Sequence, residues 1–404
     1  MKKIIQSLTK TYRSVALKQL LISIIILTGL NMHAQWQVVG SKGFSAGEAY
    51  WSSIVIDAGG IPYVGYMDEG NGWKATVMKF NGTNWENVGN PGFSAGYADF
   101  ASLAIANNGT LYMSFADNGN SDKITVMKYN GTSWENVGNP GFSAGQGAST
   151  SIKIDEYNTP FVAYQDLANQ NKGTVMKFNG TNWENVGIPG FSAGQASSFS
   201  LEFNNTGTLH VAYRDDTGFI GGQVTVMKFN GTSWENVGNP KFSVGSAIYI
   251  SLAFDNNGTP YVSYDDGGYS KHLTVMKFNG TNWENVGAPG FSTGEVRSTS
   301  LAFNSYGILF VTYCDDGISG KATMKEFNVS NWEDVGNPGF SDGYAHNTCL
   351  AINSNGIPYV VYNDWVNSYK ATVMRFNTQT VPINNWVIIL VVLLIATFLL
   401  KKLY

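Results

Sequence analysis

The chain has 404 residues, 43% of them hydrophobic, 14% aromatic and only 13% charged, with a formal net charge of −4. Forty-six glycines and few long helical apolar patterns exclude a helical bundle and point to an all-β protein rich in turns. An acidic balance does not suit nucleic acid or an anionic membrane surface.

The first element is a basic stretch with Lys2, Lys3, Lys10, Arg13 and Lys18, then an apolar run from Leu20 to Leu30, then Met32-His33-Ala34. This order reads as a signal peptide over residues 1–34, cut before Gln35, since so short an apolar core does not span a bilayer. An uncleaved signal anchor is the alternative. Five of the 25 basic residues lie in this segment and two, Lys401 and Lys402, at the other end. The body between them therefore sets 18 basic residues against 29 acidic ones, a formal charge of −11.

From Trp36 the chain repeats. Trp36, Trp85, Trp134, Trp183, Trp234, Trp283 and Trp332 are separated by 49, 49, 49, 51, 49 and 49 residues. A fixed period of this size marks a repeat architecture. One unit can be read from Ser251. Ser251 to Asp255 is a short apolar strand, and Pro260 to Tyr264 follows a turn. After a loop from Asp266 to His272 comes a third strand, Leu273 to Phe278. Asn279-Gly280 favours a tight type I′ hairpin into Trp283 to Gly287. Four short strands per repeat is the size of one propeller blade.

The ends indicate a closed ring. The body begins with a lone fourth strand, Trp36 to Gly40, and finishes with a third strand, Thr372 to Asn377, whose fourth is missing. Pairing the two removes the open edges that an all-β chain must otherwise protect. Third strands begin at Thr76, Thr125, Thr174, Thr225, Thr274, Thr323 and Thr372, so residues 35–377 read as a seven-bladed β-propeller. In size the repeats resemble the broad kelch-like and surface propeller group. They lack the Gly-His and Trp-Asp signature of WD40 repeats and the Ser-x-Asp-x-Gly-x-Thr-Trp box of sialidases. The recurring Trp, and the Phe of each Gly-Phe-Ser (Lys-Phe-Ser at Phe242), read as core.

Alternate connections of such a meander fall on opposite faces. One face carries short, nearly invariant turns. The other carries the second-to-third loops and the crossings between blades, where the repeats diverge. Candidate ligand-binding residues there are Tyr50, Trp51, Trp73, Tyr97, Asp99, Phe100, Tyr269, Arg297, Tyr344, His346, Trp365 and Tyr369. Aromatic rings beside carboxylates and amides suit sugar rings or a protein partner. Free drift of exposed loops gives the same variety.

Asp68, Asp117, Asp166, Asp215, Asp266, Asp315 and Asp364 each close a Tyr/Phe-x-Asp. Their presence in every blade reads as turn chemistry, the carboxylate accepting backbone N–H groups of the loop it begins. The doublets at Asp215, Asp265 and Asp315 could help hold Ca²⁺, but no blade has a full set of alternating oxygen ligands and no cofactor is called for. Lys153 and Glu202 break the pattern at one inner-strand position in adjacent blades and are expected to pair near the axis. Cys314 and Cys349 could form one disulfide in an exported protein.

After a linker, residues 378–386, the segment 387–404 reads as a transmembrane helix with a basic end. Pro382 to Trp386, the apolar run and Lys401-Lys402 resemble the Pro-x-x-x-Trp sorting signals of exosortase-type systems. That resemblance implies a tail handled by sorting and export machinery and a body delivered to the cell surface. A plain single-pass anchor is the alternative.

No nucleophile elbow, metal-binding His pair or phosphate loop appears. The expected function is therefore a non-catalytic, exported, monomeric module binding a surface glycan or protein. The alternatives are a purely structural surface component and a glycan-active propeller enzyme.

Overall fold

A computed structural model describes residues 35–217 and 221–377. They form seven four-stranded antiparallel sheets. Blade 1 consists of Ala49–Ile56, Pro62–Asp68, Lys74–Phe80 and Trp85–Asn87, from the axis outward. Blades 2 to 6 repeat this order. Blade 7 takes Ala345–Ile352, Pro358–Asp364 and Lys370–Asn377 from the end of the repeats and Gln35–Val38 from their start. The Val39 amide donates to the Val373 carbonyl at 2.9 Å, so the closure runs as the unpaired ends require.

One part of the expected fold class is corrected. The described residues are strands joined by turns, with six three-residue 3₁₀ turns, and no helix among them is long and apolar enough to cross a membrane. The segments read as signal peptide, linker and C-terminal helix lie outside the described residues.

The repeated tryptophan fastens each blade to its predecessor. Trp85 Nε1 donates to the Val39 carbonyl at 2.7 Å, and its ring stacks on Phe44 with centroids 4.1 Å apart. Trp134 does the same with Val88 and Phe93, and Trp283 with Val237 and Phe242. Trp36, on the N-terminal strand, donates to Val335 at 2.8 Å and stacks on Phe340 at 3.8 Å. Glycine is required beside each clasp: at Gly40 (φ +72) a Cβ would lie 3.0 Å from Phe80 and from Trp85.

Nearer the axis, the blades are joined by hydroxyls. Ser53, Ser102, Ser151, Ser200, Ser251 and Ser300 each accept the backbone amide of the next inner strand, the last four at 2.9–3.1 Å. Cys349 takes the serine's place in blade 7. Cys314 and Cys349 are both free.

The seven aspartates end the second strands and are almost wholly buried. Asp117 Oδ1 accepts the amide of Gly119 in the turn it caps and that of Gly96 in the crossing loop, while Oδ2 accepts from Asn120 and Thr125. One carboxylate thus ties a loop, a crossing and a strand together.

Replacing Trp36 by Ala removes both the stack and the indole hydrogen bond that close the ring. The expected cost is ~3–5 kcal/mol, as for other large-to-small core changes. Urea unfolding checks it; a loss below about 1 kcal/mol would show that the N-terminal strand does not hold the ring shut.

Candidate functional site

Each innermost strand bulges where it meets the variable face. In blade 1 the register with the second strand shifts between Tyr50 and Ser53, and the same shift recurs in all seven blades. Inside every bulge one non-glycine residue has left-handed backbone: Trp51, Phe100, Ser149, Ser198, Tyr249, Ser298 and Asn347, with φ between 49° and 56°. Bulges turn side chains out of the ladder, and a left-handed L-residue costs roughly 1–2 kcal/mol. Hydroxyls stitch the strained ring together, Thr150 donating to the Phe100 carbonyl and Thr299 to that of Tyr249.

These residues line a depression of about 270 Å³ at the axis. Its wall is lopsided. Trp51 and Phe100 lie together with centroids 4.6 Å apart, whereas the corresponding residues of blades 3 and 4 are Ser149 and Ser198.

Several of the predicted residues gather outside this mouth, over blades 6, 7 and 1. Arg297 donates through Nε and Nη2 to Asp316 Oδ2 at 3.2 and 3.0 Å, and its guanidinium carbon lies 5.9 Å from the Tyr344 ring centre. Tyr344 packs on His346 at 4.4 Å, and His346 meets Tyr369 at 5.3 Å. In blade 1, Tyr50 packs on Trp73 at 5.4 Å and donates to Glu48 at 2.9 Å. Burial raises the Tyr50 pKa first, then Glu48, with a smaller contribution from Tyr369, which joins the two groups into one arc.

Burial and the Arg297 charge hold the His346 pKa below its ordinary value, so the imidazole is neutral at pH 7. Burial raises Tyr344, with the neighbouring Cys314 thiol adding to the rise, and its hydroxyl is buried without a hydrogen-bond partner. The reason Tyr344 can lie so low is Gly320. Trp73, Asp122, Asn171, Lys271 and Tyr369 occupy the equivalent loop position in other blades, and a Cβ on Gly320 would sit 2.0 Å from the Tyr344 ring. Glycine at that one position was the available sequence signal for this cluster.

The remaining candidates do not converge. Tyr97, Tyr269 and Trp365 stand apart on the same face, 50%, 39% and 57% exposed. Asp99 is half-buried beside Asp122, and burial, then that carboxylate, raises its pKa.

Sequence reading missed the role of Asp265. It is 3% exposed and accepts the Ile248 amide across its own sheet. Burial pushes its pKa up to about 7, against the opposing pull of the Ile248 amide, Lys271 and Arg214. Deeper in the channel, Lys153 and Glu202 form the expected pair, Nζ to Oε2 at 2.6 Å. Among the described residues no group of three or more His, Cys, Asp or Glu could hold a metal ion.

No family model and no curated protein matches the chain. Solved structures do share the fold. An ulvan lyase from a new family of polysaccharide lyases superposes with a TM-score of 0.53 at 14% identity, over 83% of this chain and 94% of that one. An extracellular domain assigned to a hybrid two-component system of B. thetaiotaomicron gives 0.55 at 12% identity, over 86% of this chain and 40% of that one. An α-L-arabinanase of Penicillium chrysogenum gives 0.48 at 10% identity, over 86% and 99%. At these identities the likeness is one of fold.

The expectation of a non-catalytic chain is corrected at this point. It rested on the absence of contiguous catalytic motifs, and the ulvan lyase is an enzyme on the same fold over nearly its whole length. In a propeller, polar groups meet across blades, as Arg297 and His346 do from positions one repeat apart. A motif search along the chain does not register such a meeting.

Trp51→Gly is expected to leave stability within about 1 kcal/mol of native. Relief of left-handed backbone, roughly 1–2 kcal/mol, offsets the lost ring contact with Phe100, roughly 0.5–1.5 kcal/mol. A denaturant midpoint measures it, and a large loss would mean that the mouth aromatic is structural.

Asp265 keeps its proton in the folded state from its ordinary 3.8 up to about 7, while the unfolded chain releases it. Stability should therefore fall as pH rises through that window, by on the order of 4 kcal/mol for a shift of this size. Asp265→Asn should abolish that part of the slope. Thermal unfolding of both proteins between pH 4 and 8 tests it, and parallel curves would count against a buried neutral carboxyl.

Proposed function

We propose that this protein is exported and acts on a polysaccharide at its variable face. The sugar chain lies across the Trp51–Phe100 platform and along the arc through Tyr369, Tyr50 and Trp73. Arg297 and His346 stand where the reaction takes place. The observation that carries this reading is that charged and titratable side chains break the sevenfold pattern together in one place, over blades 6 and 7, beside the aromatic mouth.

The chemistry follows from the groups. Flat aromatic surfaces take the apolar faces of sugar rings. Asp316 occupies two of the Arg297 donors. The others can take a carboxylate or sulfate on the sugar, a pairing for which guanidinium is suited. Neutral His346 can accept a proton beside that anchored group. Tyr344, with its own hydroxyl buried, serves as the ring surface on which both are positioned. The ulvan lyase of the same fold supports a lyase-type reading. The body's excess of acidic residues argues against a densely charged substrate and for one with isolated acidic sugars.

Incubation of residues 35–377 with neutral and uronate-containing polysaccharides tests this. New reducing ends report any cleavage, and ultraviolet absorbance of an unsaturated uronate reports elimination alone. Arg297→Ala and His346→Ala should each lower kcat/KM at least about a hundredfold, the scale of a general acid–base group. The acid limb of the rate should lie below pH 6.5, since His346 is held below that value. Reducing ends without absorbance would replace elimination by hydrolysis. Binding without turnover, or turnover indifferent to both substitutions, would remove the proposed centre.

A further inference from the structure

The face opposite the variable one carries a second kind of site, repeated rather than unique. Grooves open between neighbouring blades at equivalent places. One of about 610 Å³ lies between blades 1 and 2, one of about 440 Å³ between blades 2 and 3, and one of about 860 Å³ between blades 3 and 4. A fourth, about 440 Å³, lies on blade 5.

Each groove is built from the same cross-strand ladder. In blade 1, Tyr63 pairs with Lys79, and Lys79 pairs with Glu86. Lys79 Nζ stands 3.2 Å from Glu86 Oε1, and the Asn81 amide donates to Oε2 at 3.0 Å. Blades 2, 3 and 5 reproduce the lysine–glutamate distance at 3.3 Å in each case. An aromatic ring, an ammonium, a carboxylate and an amide are thus presented together. The asparagine, then the lysine, hold the Glu86, Glu135, Glu184 and Glu284 carboxyls below their ordinary value, so they stay ionised acceptors.

Folding does not demand these identities. The Asn-Gly turns are explained by backbone geometry, since Gly82, Gly131, Gly180 and Gly280 all have φ near +98°. The lysine and glutamate have no such reason, because half-exposed ion pairs add little stability. Yet Lys79, Lys128, Lys177, Lys228 and Lys277 are retained, as are Glu86, Glu135, Glu184, Glu235 and Glu284. Over the same blades the exposed crossings of the other face have become Glu48-Ala-Tyr-Trp51, Gln146-Gly-Ala-Ser149 and Ser246-Ala-Ile-Tyr249. Repeats of one age have drifted on one face and stayed constant on the other.

We infer that the inter-blade grooves are multivalent binding sites for neutral saccharide units. A sugar ring packs on the Tyr/Phe side chain while its hydroxyls donate to the glutamate and accept from the lysine and asparagine. The charges within each groove cancel, which fits an uncharged polyol better than an anion. Several weak sites on one rigid ring bind a repeating glycan far more tightly than any one of them does alone.

The test uses residues 35–377 with cellohexaose, xylohexaose and mannohexaose as probes. Calorimetry should give more than one equivalent of at least one probe per chain. The variant Lys79→Ala/Lys128→Ala/Lys177→Ala should lose at least tenfold in affinity or most of that stoichiometry, with its unfolding midpoint unchanged. Arg297→Ala/His346→Ala should retain it, which separates these grooves from the proposed reacting face. No binding of any of the three probes, a single equivalent, or indifference to the triple substitution would overturn the inference.

Discussion

Every blade is held to its predecessor by an indole. The tryptophan ring supplies apolar area against a phenylalanine, and its N–H satisfies a carbonyl that the crossing would otherwise bury unpaired. Both functions need the neighbouring blade, so no blade has a complete core by itself. The N-terminal Trp36 places the same clasp on the last blade, and the chain's two ends become one sheet. Cooperativity of the ring follows from this sharing.

A sealed ring can hold strain that an open sheet would release. Seven left-handed, non-glycine residues sit in seven bulges around the mouth, three of them aromatic. Unfavourable backbone persists only where the surroundings over-determine it, and it gathers at sites that bind or react. Here the surroundings are the hydroxyl stitches of Thr150 and Thr299 and, one layer further in, the serine-to-amide bonds between blades. The bulge lifts Trp51 and Phe100 out of their ladders and into the axial depression. A straight strand would have left them in the sheet.

Architecture was legible because it is written seven times. The period located the blades, Asn-Gly located the hairpins, and the unmatched strands at either end specified the closure. Lys153 and Glu202 could be paired from sequence because a β-strand has a rigid side-chain period and equivalent positions in adjacent blades face one axis. The grouping of the candidate site was not legible in this way. Tyr50 with Trp73 and His346 with Tyr369 meet through loop geometry that no period encodes. Asp265 looked like half of a doublet; only its place in the second strand, buried and bonded to Ile248, distinguishes it from Asp266. Tyr344 was visible as an aromatic, but its depth depends on what Gly320 lacks.

Symmetry separates the two faces by what each can do. A reaction centre needs different groups at different positions around one substrate, so it can arise only where repeats have diverged. Arg297, His346 and Tyr369 are such a departure; blade 3 has Ala148 and Asn171 at positions equivalent to Arg297 and Tyr369. A recognition site has no such requirement. Repeated unchanged around a ring, it gains avidity with each copy, and divergence of any copy weakens the whole. Selection for chemistry therefore erodes the repeat on one face, while selection for multivalent contact preserves it on the other. The chain shows both patterns on a single scaffold, with the boundary between them running through the middle of every blade.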